Sequence, residues 1–237
     1  MTTTLPAFLA PLIIGVGFVA ALVVWLAVRR ATTGVLLALW FATTLTLAAR
    51  GFFRGDPIAL GPNLTFPLGL FLPIIVGYAA YRRSDAFRRA LDAAPQEWLI
   101  GVQVYRCLGV VFLLLLARGQ LPAQFALPAA CGDILVGATA LPVAWVWRRQ
   151  RPWARRLAIV WNAVGILDLV VAVGVGALSS PTPFRLFADE PSTGLMTQFP
   201  LAMIPLFAVP LAIMLHLASL RLALARRTAT YDSASWE

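Results

Sequence analysis

The sequence predicts an all-α membrane protein with seven transmembrane helices, and three observations support this prediction. Hydrophobic residues make up 60% of the 237 residues and charged residues only 12%, whereas a soluble domain is about half apolar and a quarter charged. Seven apolar runs reach the length of about 18 residues that predicts a membrane-spanning helix. All 19 basic residues are arginines, and 14 of them fall on one side of these runs.

The seven apolar segments are named α1 to α7 in chain order. They cover about residues 7–28, 32–50, 64–81, 97–117, 123–147, 156–178 and 199–220. The connections are short, so we expect residues 1–237 to form a single polytopic domain that ends in a short cytoplasmic tail over 228–237. No arginine precedes α1, which predicts a retained membrane anchor and not a cleaved signal peptide.

The arginines predict how the helices are oriented. By the positive-inside rule, the side of the membrane that carries most of the arginines is cytoplasmic, so the N-terminus is outside and the C-terminus inside.

An arginine-only basic content with abundant alanine is typical of a GC-rich bacterial genome, so we expect a bacterial inner membrane, with the arginine-rich side of the protein in the cytoplasm. The 14 arginines on this side are Arg29, Arg30, Arg82, Arg83, Arg88, Arg89, Arg148, Arg149, Arg151, Arg155, Arg156, Arg221, Arg226 and Arg227.

The net charge of +9 does not predict nucleic-acid binding, because the arginines lie at helix ends, where they contact lipid headgroups. Ser84 is expected to cap a short helix between α3 and α4, with Phe87 and Leu91 on its apolar face. We expect this segment to bind anionic lipid through Arg82, Arg83, Arg88 and Arg89.

Helices α1 and α5 share a sequence pattern that indicates an internal repeat. Leu5-Pro6-Ala7 and Leu121-Pro122-Ala123 each precede a proline, a glycine, a tryptophan and an arginine pair. The pattern favours two parallel three-helix repeats joined by α4. The alternative is coincidence, because proline and aromatic residues are common at the ends of membrane helices in any case. This 3+1+3 plan resembles that of the SWEET and PQ-loop transporters in topology only. Microbial rhodopsins also have seven helices, but their retinal needs a lysine, and this chain has none.

Three charged residues lie near the middle of predicted helices: Arg106 in α4, Asp133 in α5 and Asp168 in α6. A charge at the bilayer centre costs at least about 2.5–3.5 kcal/mol, so each needs a partner or a wet cavity. At about 1.5 Å per residue, all three fall at a similar depth. We therefore expect Arg106 to pair with at least one of the aspartates.

A second group of polar residues, Gln103, Asn162 and His216, is expected about one to two turns nearer the cytoplasm. Together with the three charged residues, they are the candidates for binding a ligand or a proton. One arginine cannot neutralise two carboxylates, so either one aspartate is protonated or a cation supplies the missing charge. We expect Asp168 to be the carboxyl that exchanges its proton. A static salt bridge that holds the bundle together is the alternative.

These residues favour a transporter or a ligand sensor for a small molecule or ion over an enzyme. A membrane enzyme that acts on a lipid or quinone, with Arg106 holding an anion, and a structural or homo-oligomeric subunit are the alternatives. No catalytic residue, metal site or cofactor is predicted, because a single histidine and two unpaired thiols, Cys107 and Cys131, match no known site pattern. The two thiols are expected to be buried. Ser219 lies three residues beyond His216, toward the headgroups, which argues against a nucleophilic pair.

Overall fold

The structure, a computed structural model, describes residues 4–54 and 64–232, with side chains described through residue 225. Among these residues, seven helices are long and apolar enough to cross a membrane. This confirms the all-α, seven-helix prediction and indicates a multi-pass membrane protein. The helices are α1 (Leu9–Val28), α2 (Ala31–Ala49), α3 (Thr65–Arg83), α4 (Gln96–Ala117), α5 (Ala123–Arg148), α6 (Ala154–Leu178) and α7 (Ile204–Ala225).

The final helix is longer than predicted at one end and shorter at the other. Its backbone continues as helix to Asp232, so part of the predicted tail is helical, and residues 233–237 lie outside the described residues. At its start, α7 begins at Ile204 and not at residue 199. Pro200 explains the late start, because a proline lacks an amide donor and disfavours helical backbone in the residue before it. Pro205 lies in the first turn of α7, where a missing amide donor is tolerated.

The short helix between α3 and α4 spans Asp85–Asp92, and it begins as the sequence predicts. The Ser84 hydroxyl oxygen accepts a hydrogen bond from the Phe87 amide at 3.2 Å. Arg221 of α7 forms an ion pair with Asp92, so the short helix is tied to the end of the last helix.

Helix α4 lies at the centre of the bundle, in contact with α1, α5 and α7. The proline-rich segment at the start of α7 is also buried: Leu201, Leu206 and Phe207 are all at most 1% exposed. The prediction that both thiols are buried is wrong, because Cys131 is exposed on the surface of α5 and Cys107 is only partly buried. The residues before Cys131, Ala129 and Ala130, form the buried face of α5 instead.

Two stretches of helix depart from α geometry. Residues Val102–Gly109 of α4 form a 3-10 helix, although 3-10 runs longer than about four residues are uncommon. Residues Ile204–Ala208 of α7 form a π-helix. The α4 and α5 backbones approach closely beside the 3-10 stretch, because a Cβ at Gly137 would lie 2.5 Å from the Cys107 amide nitrogen. The 3-10 stretch lies where α4 packs on α5 and α1, and the π-helical stretch packs on α1, α2 and α3.

Candidate functional site

The guanidinium of Arg106 lies inside the bundle and joins three other helices. Its Nε donates to Asp133 Oδ1 at 2.7 Å, and its Nη2 donates to Asp168 Oδ2. Its Nη1 contacts His216 Nε2 at 3.1 Å and the Gly165 carbonyl at 3.4 Å. Only 2% of the arginine side chain is exposed. The arginine thus links α4 to α5, α6 and α7.

Both carboxylates depend on this one cation. The side chains of Asp133 and Asp168 are 16% and 11% exposed, and each forms its ion pair with Arg106. If both were ionised, the three groups would carry one net negative charge inside an apolar bundle. Such a charge is costly there, because removing a charge from water is unfavourable unless it is balanced.

Two glycines make room for this cluster. A Cβ added at Gly132 would overlap the Asp168 carboxylate, and one added at Gly165 would overlap the His216 imidazole. On the facing side, a Cβ at Gly109 would lie 2.6 Å from the Asp133 Cβ. Small residues commonly allow such close approach at membrane helix interfaces.

A chain of polar side chains runs from Arg106 along the bundle. His216 Nδ1 lies 2.9 Å from Asn162 Oδ1, and Asn162 Nδ2 donates to the Ser219 hydroxyl at 2.9 Å. Gln96 Nε2 donates to the Ser219 carbonyl at 3.0 Å. Each of these side chains is at most 5% exposed, so the chain is buried over its whole length.

The hydrogen bonds assign the protonation state of His216. The guanidinium of Arg106 has only donors, so the His216 Nε2 that faces it must accept. The ring is therefore neutral with its proton on Nδ1, which donates to Asn162 Oδ1. Because both ring nitrogens are engaged, His216 is not placed to take a proton from Ser219, and a nucleophilic serine is not supported.

Two further α4 side chains bind the backbone of α7. The Tyr105 hydroxyl donates to the Ala208 carbonyl at 2.7 Å, and Gln103 Nε2 donates to the Ala212 carbonyl at 3.1 Å. Gln103 Oε1 is buried and has no hydrogen-bond partner among the described residues. The 3-10 stretch of α4 is thereby fastened to the π-helical start of α7.

The structure brings five of the six predicted site residues together: Arg106, Asp133, Asp168, His216 and Asn162. Gln103 also contacts α7, but its side chain binds the Ala212 backbone carbonyl and does not contact the Arg106 cluster. Sequence reasoning missed Tyr105, Gln96 and Ser219. A tyrosine beside a buried arginine was the available signal for the first of these.

A small cavity adjoins the cluster. Its volume of about 20 Å³ is enough for one water molecule. Asp133, Arg106 and Tyr105 contribute its polar lining, and Ile204 and Ala208 of the π-helical stretch form part of its wall. Asp168 does not line it, so Asp133 is the carboxyl next to the space that a water could occupy.

Residues 63–224 match the sequence model of a domain of unknown function, DUF8737. The chain belongs to the DUF8737 family. No curated protein and no solved structure matches it.

The region matched to DUF8737 begins just before α3 and ends in α7, so it contains every residue of the Arg106 cluster. It also contains Tyr105 and both irregular helix stretches. Helices α1 and α2 lie before it. The candidate site is therefore built within the DUF8737 region.

Proposed function

We propose that this DUF8737 protein is a membrane transporter or ligand sensor whose working element is the Arg106 cluster, where a proton or a small cation is exchanged. The observation that carries the proposal is the pairing of one guanidinium with two largely buried carboxylates, which are 16% and 11% exposed. A proton or a cation balances the second carboxylate, and its loss leaves an uncompensated charge that favours a different arrangement of the helices.

The size of the cavity supports a small exchanged species. It has room for one water molecule, so a proton carried by water, or a small cation, fits this conformation without rearrangement. A larger ligand requires the bundle to open. The sequence favours Asp168 as the exchanging carboxyl, but the cavity favours Asp133, which lines it.

The irregular backbone supports a conformational step. Mid-helix 3-10 and π segments often mark hinges and functional sites, and here Val102–Gly109 and Ile204–Ala208 both adjoin the cluster. Tyr105, next to Arg106 on α4, holds the π-helical stretch through the Ala208 carbonyl, and Arg106 itself contacts His216 farther along α7. A change of charge at the cluster is thereby coupled to the packing of α4 against α7.

An enzyme that uses Arg106 to hold an anionic substrate is less consistent with these contacts. The guanidinium already pairs with two carboxylates, so it does not offer the net positive charge that an anion site needs. Exchange of a proton or cation is favoured for this reason.

A thermal unfolding series tests the proposed function. Purified protein is heated at several pH values with Na⁺, with K⁺ and with a panel of metabolites. The unfolding temperature of the wild type is expected to change with pH or with an added ion or metabolite. The change should be about 2–4 °C for each kcal/mol of stabilisation. It should be absent in the Asp133→Asn/Asp168→Asn double variant and retained in Asp189→Asn, a control in an exposed loop. If wild type and double variant respond identically to every condition, the cluster is a structural tie.

We also propose that the chain contains two three-helix repeats and that the basic face of the short helix lies on anionic lipid.

We further propose that the protein lies in a bacterial inner membrane with its N-terminus outside and its C-terminus inside. The arginine distribution supports this orientation. With Cys107 and Cys131 replaced by alanine, a cysteine at Leu186, which is 72% exposed, should react with an impermeant maleimide in intact cells. A cysteine at the exposed Arg151 should react only after permeabilisation. The opposite labelling would overturn the orientation.

A further inference from the structure

A large groove lies between α1, α4 and α5, and it shares Tyr105 with the wall of the water-sized cavity. Its volume of about 690 Å³ falls within the roughly 300–1,000 Å³ typical of small-molecule sites. Most of its wall is apolar, with contributions from Val19 and Val23 of α1, Gly101 and Val104 of α4, and Leu141 of α5. In a membrane protein, such a groove is open to lipid.

One end of the groove is polar and amphipathic. Glu97 and Trp98 at the start of α4 lie there together with Trp145 and Arg148 at the end of α5. Glu97 and Arg148 form no ion pair with any described residue. A carboxylate and a guanidinium at the mouth are therefore both free to bind a ligand, and tryptophans are typical of the headgroup level of a bilayer.

The length of the groove matches one leaflet. On α1 it runs from Gly15 to Val23, which is about 12 Å at about 1.5 Å per residue. Half of a hydrocarbon core of about 30 Å is about 15 Å. A single acyl chain that enters from the polar end would thus fill the groove within its own leaflet.

We propose that this groove is a binding site for one phospholipid with an ethanolamine-type headgroup, its acyl chain between α1, α4 and α5. Arg148 binds the phosphate, and Glu97 accepts hydrogen bonds from the primary ammonium. The inference is independent of proton or cation exchange at the Arg106 cluster, because the groove and the ion pairs of Arg106 involve different carboxylates and a different arginine.

The charges at the mouth select the headgroup. A glycerol headgroup offers no cation to Glu97, and its net negative charge would be repelled by that carboxylate. A choline headgroup has a cation but no N–H donor for a carboxylate. An aromatic ring attracts choline, but of the two tryptophans at the mouth Trp145 already has the Arg149 guanidinium 5.4 Å from its ring centre, so Trp98 alone is left for choline.

Native mass spectrometry with three dioleoyl lipids tests the headgroup. Ethanolamine, choline and glycerol phospholipids are titrated into the delipidated protein, and the affinity of the first bound lipid is measured. The ethanolamine lipid should bind about fivefold more tightly than either other lipid, since a partly exposed ion pair contributes modestly. Glu97→Gln should remove this preference, and Arg148→Gln should weaken all three lipids, whereas Arg151→Gln, a nearby arginine outside the groove, should do neither. Equal affinities in the wild type, or a preference that survives Glu97→Gln, would overturn the headgroup assignment.

Filling the groove tests the acyl chain. A Cβ at Gly15 meets no atom within 4 Å, and the same holds at Gly174 on α6, away from the groove. Gly15→Phe should therefore fold but bind the ethanolamine lipid more weakly than the wild type does. Gly174→Phe should bind this lipid with wild-type affinity. If Gly15→Phe binds the ethanolamine lipid with wild-type affinity, the acyl chain does not occupy the groove.

Discussion

Replacing Arg106 by leucine is expected to lower the free energy of unfolding by about 3–5 kcal/mol, because it leaves the largely buried carboxylates of Asp133 and Asp168 without their cation. The change also deprives His216 and the Gly165 carbonyl of a donor. Denaturant or thermal unfolding of the protein in detergent measures the loss. Arg118→Leu is the matched control, since Arg118 is exposed and a surface change of this kind typically stays within about 0.5 kcal/mol.

A triple variant separates the charge of the cluster from its packing. Arg106→Leu combined with Asp133→Asn and Asp168→Asn removes the cation and both anions together, so no buried charge is left unpaired. Most of the stability lost in the single variant should return, because an apolar or neutral replacement of a buried ion pair is often tolerated. Losses that simply add across the three substitutions would show that these residues are not energetically coupled.

Replacing Gly132 by alanine is expected to cost about 1–3 kcal/mol, the usual range for inserting a group into a packed interior. The added methyl would overlap the Asp168 carboxylate and push it away from Arg106. The loss should therefore include weakening of the ion pair as well as steric strain. Equilibrium unfolding measures it.

Gly174→Ala is the control for this substitution, because a Cβ there meets nothing within 4 Å. It should leave stability unchanged or raise it slightly, since alanine is the better helix former. If Gly132→Ala is as stable as Gly174→Ala, the close approach of α5 to Asp168 is not maintained in the membrane.

The number of helices could be predicted from the sequence because hydropathy and length alone define a membrane span. The Ser84 cap could also be predicted, since its partner amide, that of Phe87, lies three residues away. The late start of α7 at Ile204 could not be predicted, because a proline indicates an interruption of the helix but not the residue at which the helix begins again. The 3-10 stretch of α4 depends on the close approach of α5 at Gly137, a contact between distant parts of the chain.

The shared layer of Arg106, Asp133 and Asp168 followed from counting residues along helices. Counting placed His216 one to two turns away, but side chains lean toward the N-terminus of their helix, so Arg106 extends back far enough to reach it. Gln96 and Ser219 were missed because linear distance places both at the helix ends. Their burial depends on how α4, α6 and α7 pack together.

The central claim is that a proton or a cation balances the second carboxylate, and infrared difference spectroscopy tests it most directly. Spectra are recorded at neutral pH and at several pH values on either side of it, with and without Na⁺ and K⁺, for the wild type, Asp133→Asn and Asp168→Asn. We predict either a protonated carboxylic acid band that disappears in one of the Asn variants, with Asp133 favoured by the cavity, or carboxylate bands that shift when a cation is added. Two ionised carboxylates that respond to neither pH change nor cation would contradict the claim.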